Sequence, residues 1–287
     1  MSRRVLVTGA ASGLGLALVR RFAAAGDRVL ATDLAGSVQQ LPGGRDLFPE
    51  GVRYLRLDVR DNQQWLAARD WVEAEWGGLD LLVNNAGVAG GGRIDRTTLD
   101  EWEWITDINL LGVVRGCHTF AVTMKRQHSG HIVNVASIAG LVHPPGMASY
   151  NAVKAAVVAL SETLQHELAP YDIVTSVVCP SFFRTNLAAS LRGVDEDVQS
   201  KAAQLIESSS LTAEEIADAV FEGIEKGEPL ILTDEVARAS YHLKLTDRGA
   251  YDQQMQVTAR RTYEREQESR QARPPEEAAR PPEEETQ

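Results

Sequence analysis

Short apolar runs alternate along the chain with longer segments whose apolar residues recur every three or four positions. Uninterrupted Val, Leu and Ile runs predict strands buried on both faces, and the longer segments predict helices. The predicted strands are RVLVTG (4–9), DRVLATD (27–33), VRYLRLDV (52–59), LDLLVNNAG (79–87), GHIVNVAS (130–137) and DIVTSVVCP (172–180), with helices at 13–25, 61–76, 98–126 and 148–169. This alternation is typical of repeated β-α-β units, which form a parallel sheet with right-handed crossovers.

A seventh strand is predicted at EPLILT (228–233), after a helix at 212–226 that opens with a capping pattern, Thr212 to Glu215. The connection between Asp33 and Gly51 is rich in Gly and Pro, so we expect a loop with at most a short helical turn. The fold class predicted is α/β, a doubly wound Rossmann-type parallel sheet of about seven strands. The predicted division is one catalytic domain at 1–233, a helical C-terminal extension at 234–271 and a disordered acidic Pro-rich tail at 272–287.

Composition narrows the classes of partner. Hydrophobic residues make up 44% and charged residues 24% of the 287 positions, which is typical of a globular protein. The net charge of −11 and the lack of a clustered basic stripe predict no nucleic-acid partner. The apolar start ends at Thr8-Gly9 and no run of about 18 apolar residues follows, so we expect neither export nor a membrane span. Cys117 and Cys179 are expected to be buried free thiols, which fits the cytoplasm.

A glycine-rich loop, TGAASGLG (8–15), follows the first predicted strand and leads into an apolar helix. Gly9, Gly13 and Gly15 would let the backbone pass close to a pyrophosphate at the N-terminus of that helix. The spacing Gly-x-x-x-Gly-x-Gly differs from the commonest dinucleotide fingerprint, and a tight turn without a ligand is an equal alternative at this point. The candidate contacts in this loop are Gly9, Ser12, Gly13, Leu14 and Gly15.

The second predicted strand ends at Asp33, eighteen residues after Gly15. This is the usual distance for a carboxylate that binds the ribose hydroxyls of NAD, although a capping or turn aspartate is the alternative. Asp33 would repel a 2′-phosphate, and neither Ser12 nor Leu34 supplies the cation that such a phosphate needs. The sequence therefore favours NAD over NADP.

Two further strand ends carry small or polar side chains. Asp58 and Val59 follow one strand, and Asn85, Ala86 and Gly87 lie in NNAG (84–87) after the next. Because ligands of open parallel sheets bind at the carboxyl ends of the strands, we expect these residues to flank the adenine and ribose. A plain turn is the alternative for NNAG.

Tyr150 and Lys154 open the helix SYNAVKAAVVALSETLQHEL, and their spacing of four places both side chains on one face. Alone, this pair also fits a half-buried tyrosine beside a lysine that extends to solvent. Ser137 ends the fifth strand thirteen residues earlier, and Asn109 stands among apolar residues in WEWITDINLLG, where an isolated amide is costly.

In this order and spacing, these motifs resemble the short-chain dehydrogenase/reductase family over about residues 4–233. The resemblance implies that Tyr150 is the general acid/base and that Lys154 binds ribose and lowers the pKa of Tyr150. It implies that Ser137 binds the substrate oxygen and that Asn109 holds a proton-relay water. The implied activity is NAD-dependent interconversion of a secondary alcohol and a ketone by hydride transfer. A homodimer or homotetramer is also implied, with the helices at 98–126 and 148–169 at a twofold interface.

The segment CPSFFRTNL (179–187) is similar to the family's loop after the sixth strand, which implies that Pro180, Phe183 and Thr185 close over the nicotinamide. Ser181 replaces the usual glycine and restricts the backbone there. Phe182 and Leu187 lie in what would be a substrate lid and favour a lipophilic or medium-sized substrate, with simple packing on the sheet as an equal alternative. His143 is a further possible substrate contact. None of the six histidines has a Glu or Cys partner at ligand spacing, so no metal is predicted.

The five tryptophans are better explained by packing than by recognition of a ligand. A non-enzymatic dinucleotide-binding protein, whose acidic tail recruits a partner, is the rival to an enzyme, although such a protein has no need for Tyr150 and Ser137. The sequence does not distinguish among possible substrates or reaction directions.

Overall fold

Seven parallel strands form one sheet in the computed structural model, which describes residues 2–185 and 195–272. Their bounds are β1 Arg4–Thr8, β2 Arg28–Asp33, β3 Arg53–Arg56, β4 Leu81–Asn84, β5 Gly130–Val135, β6 Ile173–Val178 and β7 Leu230–Ile231. The spatial order is β3-β2-β1-β4-β5-β6-β7. The order reverses between β1 and β4, and this reversal opens a crevice at the carboxyl ends of the strands. The predicted doubly wound sheet is confirmed.

Helices connect the strands and cover both faces of the sheet. Their bounds are α1 Gly13–Ala24, α2 Asn62–Trp76, α3 Leu99–Thr106, α4 Gly112–Gln127, α5 Ala139–Val142, α6 Ala148–Leu168, α7 Glu196–Glu207, α8 Ala213–Lys226, α9 Glu235–Thr246 and α10 Arg248–Ala272. Short 3₁₀ turns at Val38–Gln40 and Gly44–Leu47 occupy the connection that the sequence assigned to a loop. The predicted helix at 98–126 is divided between α3 and α4 by a π-helical turn, Asp107–Leu111.

The apolar runs are continuous because both faces of the sheet are buried. Along β1, Leu6 packs with Trp65 and Phe120 on one side, whereas Val5 and Val7 face the opposite side and pack with α1 and α8. All three β1 side chains are fully buried. A strand with two buried faces needs apolar residues at every position, which is why no alternation appears in the sequence.

The C-terminal extension packs against the domain that carries the site. Tyr251 of α10 is only 5% exposed and lies in the same core as Leu141 and Val142 of α5. Lys244 of α9 donates a hydrogen bond to the carbonyl oxygen of Leu141. The extension therefore supports the connection that follows β5. No helix within the described ranges is long and apolar enough to cross a membrane.

Candidate active site

A cleft of about 740 Å³ opens where the sheet order reverses, above the carboxyl ends of the strands. The cleft collects residues from the glycine loop, from the ends of β2 to β6 and from α6. The predicted site residues that line it are Gly9, Ser12, Gly13, Leu14, Gly15, Asp33, Leu34, Asp58, Val59, Asn85, Ala86, Gly87, Ser137, Tyr150, Lys154, Pro180, Phe182, Phe183 and Thr185. Residues far apart in the sequence thus share one cavity, as expected of a ligand site in an open α/β sheet.

The N-terminus of α1 faces this cleft without a side-chain cap. Ser12 at the N-cap position makes no capping hydrogen bond, and no acidic residue occupies the first turn. The first backbone N–H groups of a helix lack partners within the helix, and the helix dipole adds partial positive charge there. A pyrophosphate group therefore fits this end of the cleft.

The glycines of the loop are needed for close approach. A Cβ on Gly9 would lie 2.8 Å from Cα of Ala86, and a Cβ on Gly15 would lie 2.6 Å from Nδ2 of Asn85 and against the carbonyl oxygen of Gly9. Gly9 and Gly13 also have positive φ angles of 63° and 51°. Since L-side chains disfavour such angles and the space is filled, the loop path requires glycine.

The carboxylate of Asp33 is held at the end of β2 by backbone donors. Its Oδ2 accepts a hydrogen bond from the Ala11 N–H at 2.8 Å, and its Oδ1 accepts from the Leu34 N–H at 2.7 Å. Asp33 thus ties the glycine loop to β2 while it keeps a negative charge in the cleft. A carboxylate in this position can bind the two hydroxyls of a ribose and repels a phosphate.

Arg60 is a cleft residue that the sequence analysis missed. Its guanidinium pairs with Asp58, with Nη2 2.7 Å from Oδ2 and Nε 3.0 Å from Oδ1. This hydrogen-bonded pair lowers the pKa of Asp58 below its usual value. The sequence shows that Arg60 follows Asp58 by two positions. Spacing alone, however, does not predict where a long and flexible arginine side chain points.

The turn after β4 is fastened to β1. The Thr8 hydroxyl oxygen accepts from the backbone N–H groups of Asn85 and Ala86 at 3.0 and 2.9 Å, and Asn85 Nδ2 donates to the Thr8 carbonyl oxygen at 2.8 Å. This arrangement brings Gly87 beside the catalytic candidates, since a Cβ there would lie 3.1 Å from Asn109 Oδ1 and 3.7 Å from Lys154 Nζ.

Ser137 and Tyr150 meet in the middle of the cleft. Both side chains line the cleft, where the nearby Ser137 hydroxyl acts to lower the pKa of the Tyr150 phenol, and the Ser137 oxygen accepts from the Ala139 N–H at 3.1 Å. Ser137 lies just past the end of β5 and Tyr150 lies in the first turn of α6, so the short helix α5 brings the two side chains together. Two hydroxyl groups converge on one point that a substrate oxygen can occupy.

Lys154 is buried one turn after Tyr150 on the same face of α6. Its ammonium donates to the carbonyl oxygen of Val135 at 2.9 Å, and its side chain is almost fully buried. Burial lowers the pKa of Lys154 to about 8, because the charged form loses solvation. The ammonium is therefore held by the end of β5 and does not extend into solvent.

The resemblance implies that Lys154 lowers the pKa of Tyr150, whereas the surroundings of Tyr150 in the structure raise its pKa. Burial raises the pKa of Tyr150 to about 12, and the hydrogen bond with Ser137 offsets only part of this rise. The Lys154 ammonium lies 5.8 Å from the centre of the ring and does not counteract the loss of solvation. Another positive charge in the cleft is needed to stabilise the phenolate near neutral pH.

Asn109 lies in the π-helical turn, is fully buried and, unlike the other three predicted catalytic residues, does not itself line the cleft. Its Oδ1 accepts from the Val88 N–H at 2.8 Å, and its Nδ2 donates to the Val88 carbonyl oxygen at 2.9 Å. Both side-chain groups are therefore satisfied, which removes the cost of burying an isolated amide. Asn109 fixes the segment after Gly87 against the centre of the site. π-Helical turns are often found at functional sites.

The loop after β6 borders the end of the cleft where the nicotinamide is predicted to bind. The Pro180 carbonyl oxygen accepts from the Ile138 N–H at 2.9 Å, and the Ser181 N–H donates to Oδ2 of Asp234 at 3.1 Å. Asp234 is buried and is the N-cap residue of α9. Its single carboxylate therefore caps that helix and also accepts the hydrogen bond from this loop. The serine that replaces the usual glycine is thus accommodated through its backbone.

Two predicted substrate contacts are placed differently. His143 has a φ of 50° at the end of α5 and points outward, where its ring nitrogens contact the Gly140 carbonyl oxygen and Lys244 Nζ, each at 3.0 Å. It does not line the cleft, although Pro144 and Met147 of the same connection do. Leu187 lies outside the described residues. No group of three or more possible metal ligands occurs in the part of the chain that the structure describes.

Trp104 is another cleft residue that the sequence analysis missed, because its helix face was not known. It lines the cleft beyond Tyr150 with other apolar residues: Val88, Ala89, Gly90, Pro144, Met147, Phe182 and Ile206. We call this group, together with Trp104, the distal pocket. Residues from five separate segments form it, so no local motif marked it.

Comparison with known proteins identifies the family. The family model described as short chain dehydrogenase matches residues 3–195. The chain is 34% identical over 225 residues to 2-(R)-hydroxypropyl-CoM dehydrogenase of Xanthobacter autotrophicus, covering 77% of this chain and 90% of that relative. It is 33% identical to an NADP-dependent (R)-specific alcohol dehydrogenase of Lentilactobacillus kefiri, covering 67% of this chain and 77% of the relative.

A solved structure has the same fold. It is a short chain dehydrogenase/reductase from Burkholderia phymatum in complex with NAD, with 32% identity and a TM-score of 0.77, covering 86% of this chain and 94% of that one. The chain belongs to the short-chain dehydrogenase/reductase family, as the motifs indicated. It is therefore an oxidoreductase that uses a nicotinamide dinucleotide.

Proposed function

We propose that this protein interconverts a secondary alcohol and a ketone by hydride transfer, with NAD as the cofactor and Tyr150 as the general acid/base. The observation that carries the proposal is the meeting of Ser137, Tyr150 and Lys154 at the centre of the cleft. The uncapped N-terminus of α1 and the carboxylate of Asp33 support a dinucleotide at one end of the same cleft.

Each catalytic side chain has one task in this reaction. The bound nicotinamide supplies the hydride chemistry. In oxidation, the Tyr150 phenolate takes the hydroxyl proton of the alcohol as the C–H hydride leaves, and in reduction the Tyr150 phenol returns that proton to the carbonyl oxygen. Ser137 holds the same oxygen, where negative charge develops. Proton and hydride together account for the two hydrogens that separate alcohol from ketone.

Lys154 and Asn109 assist Tyr150 in the proposed reaction. The Lys154 ammonium, anchored on Val135, would bind ribose hydroxyls and add positive charge near the phenol. Asn109 does not line the cleft but holds Val88, which does, and its proposed role is to place a relay water beside Lys154. Because burial raises the pKa of Tyr150, the proposed phenolate needs the positive charge of the oxidised nicotinamide in addition to that of Lys154.

The preference for NAD rests on charge at the end of β2. Asp33 keeps its carboxylate in the cleft, and the nearby cation Arg60 is already paired with Asp58. A 2′-phosphate would meet a carboxylate there and would have to compete for Arg60. Because one relative is NADP-dependent, the comparison of both dinucleotides is part of the test.

A homodimer or homotetramer through α4 and α6 also belongs to the proposal. Leu111, Val114 and Val122 follow one another at helical spacing on the outer side of the π-helical turn and α4, and each is more than a third exposed. Gel filtration that shows only a monomer would contradict this assembly. The proposed location is the cytoplasm, since Cys117 and Cys179 are buried free thiols.

The test joins binding and turnover in one preparation. Calorimetry with NAD and with NADP is followed by a screen of secondary alcohols of graded size, read by the absorbance of reduced nicotinamide. We expect NAD to bind more tightly and at least one alcohol to be oxidised. Tyr150→Phe should bind NAD normally and lose about 10²- to 10⁴-fold in kcat. Full turnover by Tyr150→Phe would contradict the assignment, and tight NAD binding without turnover would favour the non-enzymatic rival.

A further inference from the structure

The distal pocket is the part of the cleft that the dinucleotide does not explain. It is walled by the segment after β4, by α3, by the connection before α6, by the loop after β6 and by α7. Its side chains are aromatic or aliphatic. Among the described residues that line the whole cleft, the charged ones are Asp33, Asp58, Arg60 and Lys154. The first three belong to the end with the glycine loop, so Lys154 is the one that stands near this pocket.

Trp104 is continuous with the surface that carries the catalytic phenol. Ile105, Ala139, Tyr150 and Val153 form one small core cluster, and Trp104 packs against it together with Val88 and Met147. The indole is half-buried and borders the cleft. A planar group bound next to Tyr150 would therefore meet the indole within the same apolar surface.

Trp104 lies on α3, a helix with a capped start that packs closely against the segment at Gly90. A capping box starts α3, in which Thr98 Oγ1 accepts from the Glu101 N–H and Glu101 accepts from the Thr98 N–H. A Cβ on Gly90 would lie 2.7 Å from Cδ1 of Ile105 and 4.0 Å from Cζ3 of Trp104. The segment after β4 therefore passes close to α3 at Gly90, beside Ile105 and the indole.

We propose that Trp104 is a specificity-determining residue that selects uncharged substrates with an aromatic ring next to the carbinol or carbonyl carbon. The ring of the substrate packs against the indole, and its oxygen is held by Ser137 and Tyr150. Aromatic pairs prefer offset or edge-to-face packing and bind about two- to ten-fold more tightly than burial of area alone provides. This proposal rests on the proposed function, because it assigns the substrate of the same site.

The experiment compares four alcohols that differ in one feature each. They are 1-phenylethanol, 1-cyclohexylethanol, 2-butanol and 4-(1-hydroxyethyl)benzoate. We expect the wild-type protein to favour the phenyl over the cyclohexyl compound by about two- to ten-fold in kcat/KM and to reject the carboxylate. Preference for the cyclohexyl or the carboxylate compound would overturn the proposal.

Three variants isolate the indole. Trp104→Leu should lower the phenyl-to-cyclohexyl ratio to about one through KM, while Trp104→Phe should retain most of the ratio. Trp102→Leu is the matched control, because Trp102 is on the same helix, is also half-buried and does not line the cleft. An unchanged ratio in Trp104→Leu, or an equal loss in Trp102→Leu, would overturn the assignment. NAD affinity by calorimetry verifies that each variant is folded.

A binding measurement separates failure of this proposal from failure of the proposed function. Acetophenone is titrated into the wild-type protein saturated with NAD, and tryptophan fluorescence is followed. We expect quenching that is mostly lost in Trp104→Phe and kept in Trp102→Phe, even if no alcohol is turned over. If alcohols are oxidised but Trp104→Phe is quenched as strongly as the wild-type protein, Trp104 does not contact the ring and only this inference fails.

Discussion

The Lys154 ammonium nitrogen lies 5.8 Å from the centre of the Tyr150 ring and donates a hydrogen bond away from it, to the carbonyl oxygen of Val135 at 2.9 Å. The two groups share a helix face but are both buried, so each loses solvation in its charged form. The pKa of Tyr150 is raised to about 12 and that of Lys154 is lowered to about 8. A phenolate at neutral pH thus depends on further positive charge in the cleft.

The first prediction concerns the titration of Tyr150. In the protein alone, the phenolate absorbance of the wild-type protein should match that of Tyr150→Phe up to about pH 10, because burial holds Tyr150 protonated. Saturating NAD should lower the pKa of Tyr150 by at least about one unit, since the oxidised nicotinamide is cationic. Ultraviolet difference spectra of the two proteins measure this shift.

Reduced NAD is the control for charge, because its nicotinamide ring is neutral. It should bind the same cleft and leave the difference spectrum flat over the same range. A phenolate signal from Tyr150 below its ordinary pKa in the protein alone would show that Lys154 suffices, contrary to the geometry of the buried pair.

The second prediction concerns Asp33 and the choice of dinucleotide. Asp33→Asn keeps an oxygen that can accept from Ala11 but removes the negative charge at the end of β2, where we propose that the ribose binds. We expect the ratio of NADP to NAD in kcat/KM to rise by at least about ten-fold, which corresponds to ~1.4 kcal/mol. Steady-state kinetics with both dinucleotides at low salt measure the ratio. Asp70→Asn, which makes the same charge change on the outside of α2, is the control and should leave it unchanged.

The third prediction concerns the closest contact of the glycine loop. Gly15→Ala would place its Cβ against the Gly9 carbonyl oxygen and 2.6 Å from Asn85 Nδ2. Because a backbone oxygen cannot move aside without shifting the loop, we expect at least a ten-fold loss of NAD affinity and ~1–3 kcal/mol of destabilisation. Calorimetry and urea denaturation test both effects.

Gly249→Ala is the matched control for that substitution. A Cβ at Gly249 would have its nearest neighbour, Asp247 Oδ1, at the ordinary contact distance of 3.6 Å, and the residue lies in α10. It should leave NAD affinity unchanged and raise the free energy of unfolding by up to ~1 kcal/mol, because alanine favours helix. Equal behaviour of the two variants would show that Gly15 has no steric role.

The fourth prediction concerns His131 at the other end of β5. The Ser176 hydroxyl donates to the Glu228 carbonyl oxygen at 2.7 Å, so the hydrogen bond of 2.8 Å between His131 Nε2 and Ser176 places the imidazole proton on Nε2. Burial, with a smaller contribution from Arg3, lowers the pKa of His131 to about 4. The folded protein therefore keeps this histidine neutral.

Stability should follow from that shift. The unfolded chain binds the proton near pH 6.5 and the folded protein only near pH 4, so the free energy of unfolding should fall as the pH drops through this window, by up to ~3 kcal/mol. Urea denaturation of wild-type protein and His131→Gln over the same range measures it. The difference between the two proteins isolates His131 from the carboxylates. A constant difference across the window would refute the burial argument.

The sequence by itself determined the order of elements and much of the site. Uninterrupted apolar runs predict strands buried on both faces, and the structure places six strands inside the predicted runs and the seventh inside 228–233. Parallel strands bring their carboxyl ends to one edge, which is why Asp33, Gly87 and Ser137 meet in one cleft although they are distant in sequence. Helical spacing alone puts Tyr150 and Lys154 on one face.

Only the tertiary structure decided where the longer side chains and the charges lie. His143 turns away from the cleft because its backbone has a positive φ and its ring is bound by Lys244, more than a hundred residues later. Trp104 faces the cleft because α3 packs against the cluster around Tyr150. The pKa of Tyr150 is raised because burial removes water from it. Periodicity is a local property of the chain, whereas solvation and the choice between two sides of a helix depend on neighbours that folding supplies.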